Sequence, residues 1–501
     1  MKNNAQKNPQ NIAVKSEKTE LLYSRMISDV KLLAVHLKSV GSKPGVKVGI
    51  ILGNCAEYFI SFFAISAAGG TIVPLSSKMT TYELTKFIDK GDVSIILTNG
   101  NYGQKLLENQ GNFSQITIIA VDYDDRVQLK IKTLQRICCH VDNANSDVAL
   151  AVYTSGTTGP SKLVMLTDDQ LISNMFIYRS LMEFCRHNVV YCSLLLHHIY
   201  CICAQILTHV SLADTFIITD KPFFIKNFLK AVEVDKVTIT AFVPYLGMLM
   251  AEFPEPNKYN LESLRHVTFS GAKTPKTLYQ TLTERFKHIE FINTYGMSEA
   301  GSRISIAAPN PKKFPVESAG KPIPGVQVRI ADENDRMLPP DLVGEILVKS
   351  CGIMKGYYKQ SHLTSETVVN GWLKTGDLGK LDVNGNLYLV GRKKDLIISG
   401  GDNIYPVEIE ECLLEHPLVL EAAVVGQTDE RLQEVPCAFV VAKSDSQVDT
   451  AELINFCKQR LSNYKIPRHL YFIKKMPTLG TSKIDRHKLK QSINKQLQVQ
   501  L

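Results

Sequence analysis

The stretch Tyr153-Thr-Ser-Gly-Thr-Thr-Gly-Pro-Ser-Lys-Leu-Val-Met-Leu166 decides how the chain is read. The apolar run Val148–Val152 directly before it reads as a buried strand. Thr167-Asp-Asp-Gln170 directly after it has the spacing of a capping box, so a helix is expected from Asp168 to about Leu181. A loop of small residues is thus placed between a strand and a helix. Gly156 and Gly159 allow positive φ and a close backbone approach to a ligand. Thr154, Ser155, Thr157 and Thr158 add hydroxyl donors, and Lys162 adds a point charge. Such a loop suits a polyphosphate. It is not a Walker loop: Gly156, Gly159 and Lys162 are spaced differently, and Leu163 follows the lysine where a magnesium-binding hydroxyl would stand. A plain Gly/Thr/Ser turn is the structural alternative.

Outward from this loop, strands and helices alternate. Leu22–Val40 has helical apolar spacing, Val46–Leu52 reads as a strand, and Glu57–Ala68 as a helix. Ile72–Pro74 and Val93–Leu97 read as strands around a polar helix over Thr80–Lys90. The alternation implies α/β layers with mostly parallel pairing. Residues 317–350 look β-rich, and the last hundred or so residues read as a second, small α/β unit. With 501 residues, two or more domains are expected. The uncharged stretch Tyr58–Ser77 is broken by Gly69-Gly70 and Pro74, so a buried helix leading into a strand is expected there, not a membrane span.

Lys plus Arg number 57 against 49 Asp plus Glu, a net charge of +8 that fits anionic small molecules or an acidic carrier protein. No basic run is dense enough for nucleic acid. The 11 Cys are scattered without zinc-knuckle spacing, and the N-terminus lacks an apolar signal core. A reduced, cytoplasmic setting is therefore expected.

The Thr154–Lys162 loop closely resembles the phosphate-binding signature of the acyl-adenylate-forming superfamily. That superfamily holds acyl-CoA synthetases, coumarate-CoA-type ligases, firefly-type luciferases and peptide-synthetase adenylation domains. The usual form sets Pro directly before Lys; here Pro160 is one residue earlier. Further signatures follow in order. Ala64-Ile-Ser-Ala-Ala-Gly69 before Val73-Pro74 is similar to the superfamily's N-terminal helix and strand. Leu196-His-His-Ile-Tyr200, ending an apolar strand, looks like the ligase and luciferase His segment. The resemblance puts His198 near the acyl carboxylate and turns Tyr200, Cys201 and Ala204 toward the acyl pocket. The Phe-Asp of α-amino-acid adenylation domains is absent, which argues against an α-amino acid substrate.

Val267-Thr-Phe-Ser-Gly-Ala-Lys-Thr274 resembles the segment that packs on adenine: Gly271 and Ala272 fit, while Lys273 and Thr274 depart from it. In Phe291-Ile-Asn-Thr-Tyr-Gly-Met-Ser-Glu-Ala300, the resemblance assigns Asn293, Thr294, Tyr295 and Gly296 to the nucleotide. Tyr295 would stack on adenine, Ser298 would bond phosphate, and Glu299 would hold Mg2+. Arg303 is less expected; it reads either as a contact to a polar or anionic end of the substrate or as a surface arginine. Asp377, after what reads as a tight Thr375-Gly376 turn, could cap a loop; it also matches the superfamily's Thr-Gly-Asp, whose carboxylate bonds both ribose hydroxyls. Arg392 would contact ribose or phosphate, Lys394 occupies the hinge position, and Gly400-Gly401 would line a pantetheine path. Thr478-Leu-Gly-Thr-Ser-Lys483 resembles the segment of the mobile catalytic lysine, with Ser482 where Gly is usual.

The resemblance implies an N-terminal adenylate-forming domain over 1–392 and a mobile C-terminal lid domain over 393–501. It implies ATP and Mg2+, a small carboxylic acid, and CoA or the phosphopantetheine of a separate acyl or peptidyl carrier protein. Catalysis would rest on Lys483, Glu299, His198 and Thr154. Luciferase-like oxidation of the adenylate is weakened by Ile398, where luciferases use a lysine. A nucleotide-binding relative without catalysis is disfavoured by Lys162, Glu299, Asp377, Arg392 and Lys483 occurring together.

Overall fold

A computed structural model describes residues 8–17, 19–108, 113–124, 128–154, 162–184, 187–308, 310–400, 402–443, 449–478 and 484–499, the last six of these as backbone only. Two large sheets dominate the N-terminal part. The 9-stranded sheet has a parallel centre, where Val189–Tyr191 lies between Thr215–Ile217 and Ile239–Phe242, followed by His266–Phe269 and Glu290–Tyr295. The 8-stranded sheet is parallel at Lys47–Ile51, Thr71–Pro74, Val93–Thr98 and Thr117–Tyr123. Parallel strands need both faces covered. Accordingly the helices Tyr23–Ser39 and Ala56–Ala68 sit between the sheets: Leu33 and Phe59 pack in one core with Val14 and Phe216 of the first sheet and Ile50 and Leu97 of the second. Met26, Val30, Leu33 and Leu37 form the buried stripe expected from their spacing. Gly69 ends the second helix at φ 82, the left-handed conformation that glycine adopts without a Cβ penalty.

A 5-stranded antiparallel sheet follows: Gln327–Ala331, Gly344–Lys349, Trp372–Leu381, Val368–Val369 and Leu387–Arg392. The smaller C-terminal unit has its own 5-stranded sheet, built on the Val419–Asp429/Gln433–Ala442 hairpin, and its own core around Ile409, Leu413, Val424 and Val440. Pro406 opens its first helix at a position where no N–H is needed. No described helix is long and apolar enough to cross a membrane; Tyr58–Ser77 is a helix followed by the Thr71–Pro74 strand.

Two local expectations are corrected. Lys162–Thr167 is a strand, antiparallel to Val148–Thr154, so the small-residue stretch joins two strands and the helix Asp168–Met182 comes after the second. The capping box is formed as read: Gln170 N–H donates to Thr167 Oγ1 at 3.5 Å, and Thr167 N–H donates to Gln170 Oε1 at 2.8 Å. The His197-His198 pair does not end a strand. The strand stops at Tyr191, and the pair sits on the turn before a helix whose Cys201–Leu207 segment is π-helical.

Candidate active site

Strands Val148–Thr154 and Lys162–Thr167 of the 8-stranded sheet flank the small-residue stretch. Residues 155–161, and with them Ser155, Gly156, Thr157, Thr158 and Gly159, lie outside the described residues, as does Lys483. Thr154 and Lys162 face each other across the hairpin, and Thr154 Oγ1 donates to Lys162 O at 3.4 Å. Strand Gly356–Tyr357 pairs with Lys162–Thr167 and brings in a residue that no motif marks. Tyr357 lies under Lys162, whose Nζ is 4.8 Å from the ring centroid, and its hydroxyl donates to Glu299 Oε1 at 3.0 Å. Burial and the Glu299 carboxylate push the Tyr357 hydroxyl pKa well up, so it stays a donor.

Glu299 is buried in a short turn after strand Glu290–Tyr295 and makes no ion pair among the described residues. A buried carboxylate without a cation is costly. Its chemistry fits one protein ligand of a magnesium ion that otherwise binds phosphates and water. Among the described residues no group of three His, Cys, Asp or Glu could hold a metal alone.

A second cluster forms where the antiparallel sheet meets the same strand. Tyr295 O–H donates to Asp377 Oδ2 at 2.8 Å, and Arg392 Nε lies 3.2 Å from Asp377 Oδ1. Asp377 and Arg392 are direct cross-strand partners. Asp377 is not in a tight turn: Trp372–Leu381 is one strand with a shifted register, and Gly376 at φ 70 supplies the irregularity. Burial and Asp377 hold the Tyr295 hydroxyl protonated. Thr294 donates to Phe269 O at 2.8 Å, and Asn293 Nδ2 donates to Val316 O at 3.2 Å; both therefore brace the loop bases. Gly271 is exposed at φ 86 and Ala272 is exposed beside it. Ser298 is half-buried one residue before Glu299.

Gly296 is required by contact. A Cβ there would lie 1.6 Å from Ser302 O. Gly296→Ala is expected to cost about 3 kcal/mol or more of stability, as overpacking against backbone does. A urea unfolding midpoint equal to that of the unsubstituted protein would contradict this.

The His197 and His198 rings lie with centroids 4.4 Å apart, tilted by 45° to each other. Burial, then His198 and Lys78, push the His197 imidazole down to about 3, so it is neutral at working pH. Tyr200 O–H and Thr268 Oγ1 are 2.6 Å apart, and Ala204 lies in an apolar cluster with Tyr178, Ile292 and Ile306. Arg303 is not a surface residue: it is 1% exposed, with its guanidinium carbon 3.5 Å from the Tyr178 ring centroid.

Lys394 is exposed in the short turn after Arg392. Around it, ion pairs link the two parts of the chain: Lys393 Nζ to Glu345 Oε2 at 2.9 Å, and Lys273 Nζ to Glu411 Oε1 at 2.6 Å. Lys273, which departs from the adenine-packing pattern, thus meets the Pro406–Leu414 helix. The foot of the lysine-bearing segment is closed by a bridge between Thr478 and Ile484. Arg486 clamps it, donating to Glu410 Oε1 at 2.6 Å, Glu410 Oε2 at 3.0 Å and Val424 O at 2.7 Å. Neither Tyr357 nor the Arg486 clamp is marked by sequence spacing; each depends on pairing between distant segments.

The AMP-binding enzyme family matches residues 1–358, and the AMP-binding enzyme C-terminal domain matches residues 408–483. The chain belongs to the AMP-binding enzyme family. Its class of chemistry is ATP-dependent activation of a carboxylic acid through an acyl-adenylate to a thioester. Among its AMP-binding relatives, the 2-succinylbenzoate–CoA ligase of Bacillus cytotoxicus is 31% identical over 486 residues, 96% of each chain. That of Bacillus licheniformis is 32% identical over 491 residues, 98% of each chain. The o-succinylbenzoate CoA synthetase of Bacillus subtilis, in complex with its acyl-adenylate intermediate, superposes with a TM-score of 0.84 at 29% identity, covering 98% of this chain and 97% of that one.

Proposed function

We propose that this AMP-binding enzyme is an AMP-forming acid–CoA ligase, with 2-succinylbenzoate or a close aryl keto acid as the substrate. The observation that carries the reading is the linked set Lys162–Tyr357–Glu299 together with the trio Tyr295–Asp377–Arg392. One set presents a cation and a buried acid to phosphates; the other presents a carboxylate and a guanidinium to a ribose. Similarity to 2-succinylbenzoate–CoA ligases along 96% of the chain supports CoA over a carrier-protein pantetheine.

In this reading Lys162 and the Ser155–Gly159 hydroxyls and amides take the β- and γ-phosphates. Magnesium, when held on Glu299, offsets phosphate charge. Tyr357 O–H fixes the carboxylate rotamer of Glu299. Asp377 accepts from the ribose hydroxyls, Arg392 neutralises Asp377, and Tyr295, Gly271 and Ala272 border the adenine. His198 orients the acid. A carboxylate oxygen attacks the α-phosphorus and pyrophosphate leaves. Lys483 stabilises the charge spread between carboxylate and α-phosphate. The thiolate of CoA then attacks the carbonyl carbon and AMP leaves. We assign the hinge to Lys394 and the lid to residues 393–501; rotation there removes Lys483 and brings Gly400 toward the thiol.

Carboxylate-dependent ATP–pyrophosphate exchange tests this, with 2-succinylbenzoate, benzoates, fatty acids and aliphatic dicarboxylates as candidate acids. Exchange driven by 2-succinylbenzoate, with thioester formed on CoA and not on phosphopantetheinylated carrier protein, is the expected result. Exchange driven only by fatty acids would overturn the substrate. No exchange with any acid, despite ATP binding, would overturn the ligase.

A further inference from the structure

Arg303 presents an energetic problem that the ATP chemistry does not answer. Its side chain is buried, and none of its Nε, Nη1 and Nη2 atoms finds a hydrogen-bond acceptor among the described residues. A guanidinium is always charged and carries five N–H donors. Leaving such a group buried and unpaired is among the costliest arrangements a fold can keep. The Tyr178 ring centroid lies 3.5 Å from the guanidinium carbon, a cation–π contact that supplies no hydrogen-bond acceptor to its N–H groups.

The placement is held deliberately. Asn174 Nδ2 donates to Arg303 O at 3.2 Å. Ser302, directly before it, is at φ 96, a conformation that non-glycine residues rarely keep, and such strain persists where the surroundings enforce it. The Tyr200 ring centroid lies 5.8 Å from the guanidinium carbon. Tyr200 follows His198 by two residues on the turn that enters the π-helical segment. Glu299 and Arg303 thus belong to one short loop, with the acid paired to Tyr357 and the guanidinium set against Tyr178 and Tyr200.

Resting on the ligase reading above, we infer that Arg303 is the receptor for a second carboxylate on the acyl substrate, the one that is not adenylated. A carboxylate matches the planar fork of a guanidinium in a bidentate fashion. The acid would lie with its reacting carboxylate at His198, its body along Tyr200, and its far carboxylate on Arg303. The enzyme therefore selects dicarboxylic acids, and a monocarboxylate of the same shape leaves the buried charge unmet.

The test uses two pairs that differ only by one ring carboxylate: 2-succinylbenzoate against 4-oxo-4-phenylbutanoate, and homophthalate against phenylacetate. Exchange kinetics are measured on the full chain, its Arg303→Met variant and its Arg303→Lys variant. In Arg303→Met, kcat/KM for the dicarboxylate is expected to fall about a hundredfold, mostly through KM, as when one partner of a buried charge pair is removed. The monocarboxylate is expected to change less than about threefold, because it never met the guanidinium. Arg303→Lys keeps the charge but loses the fork, and should recover part of the preference. Equal losses for both members of a pair, or no preference in the unsubstituted protein, would overturn the assignment. Thermal unfolding separates this from failure of the ligase reading. If no acid supports exchange, a rise in Tm with the dicarboxylate that its partner does not give, and that Arg303→Met abolishes, still supports Arg303. Equal Tm shifts with both acids, or none, reject it. Arg303→Met itself should match or exceed the parent Tm, since it removes an unpaired buried charge; a fall of several degrees would mark a structural role instead.

Discussion

Lys483→Ala is expected to lower acyl-adenylate formation about a thousandfold, the scale of losing a group aimed at developing charge. The same variant should convert separately supplied acyl-adenylate and CoA to thioester and AMP at close to the parent rate. The asymmetry follows from the two chemical steps. In the first, a carboxylate approaches a charged α-phosphate, and a cation between them offsets repulsion in the transition state. In the second, a thiolate attacks a carbonyl, and a lysine at that point would have no such task. The described residues on either side of this segment are anchored. The Thr478–Ile484 bridge closes its base, and Arg486 ties its exit to Glu410, with Nε 3.8 Å from Asp395, the residue after Lys394. Measurement of both half-reactions decides the matter: equal loss in the two would reject alternation of one site between two states.

Glu299→Gln is expected to lower adenylation about a hundredfold or more while leaving folding intact. The amide oxygen can still accept from Tyr357 O–H, now at 3.0 Å from Glu299 Oε1, so the turn keeps its bond. What is lost is the negative charge that would hold magnesium. The signature is therefore a magnesium requirement shifted to higher concentration, together with an unchanged Tm. Tyr357→Phe should act in the same direction and more weakly, since it frees the carboxylate rotamer but keeps its charge. Full activity of Glu299→Gln at ordinary magnesium concentrations would remove Glu299 from the metal site.

Local sequence signals carried much of this account. The capping box at Thr167 and Gln170, the buried stripe of Tyr23–Ser39 and the proline opening at Pro406 are formed as their residues imply. Each depends on neighbours within a turn or two. The second strand of the hairpin was not legible, because Leu163–Leu166 becomes a strand through pairing with Leu150–Tyr153 on one side and with the distant Gly356–Tyr357 on the other. Asp377 read as the end of a turn because Thr375-Gly376 mimics one; its strand bulges there instead. The helical turn after His198 was hidden by a run of apolar residues that suits a buried strand equally well. Arg303 marks the sharpest limit. Four residues after Glu299, it read equally as surface or as pocket, and only the packing of Tyr178 and Tyr200 around it settles that it is buried.

In the proposed reaction a carboxylate oxygen of the substrate attacks the α-phosphorus of ATP. A single turnover of 2-succinylbenzoate, labelled with 18O in its carboxylates, with ATP and CoA follows that oxygen. One labelled oxygen should appear in AMP and none in pyrophosphate, because thiolysis breaks the acyl carbon–oxygen bond and leaves that oxygen on phosphorus. Label in inorganic phosphate with ADP as the nucleotide product, or AMP without label, would contradict the acyl-adenylate route.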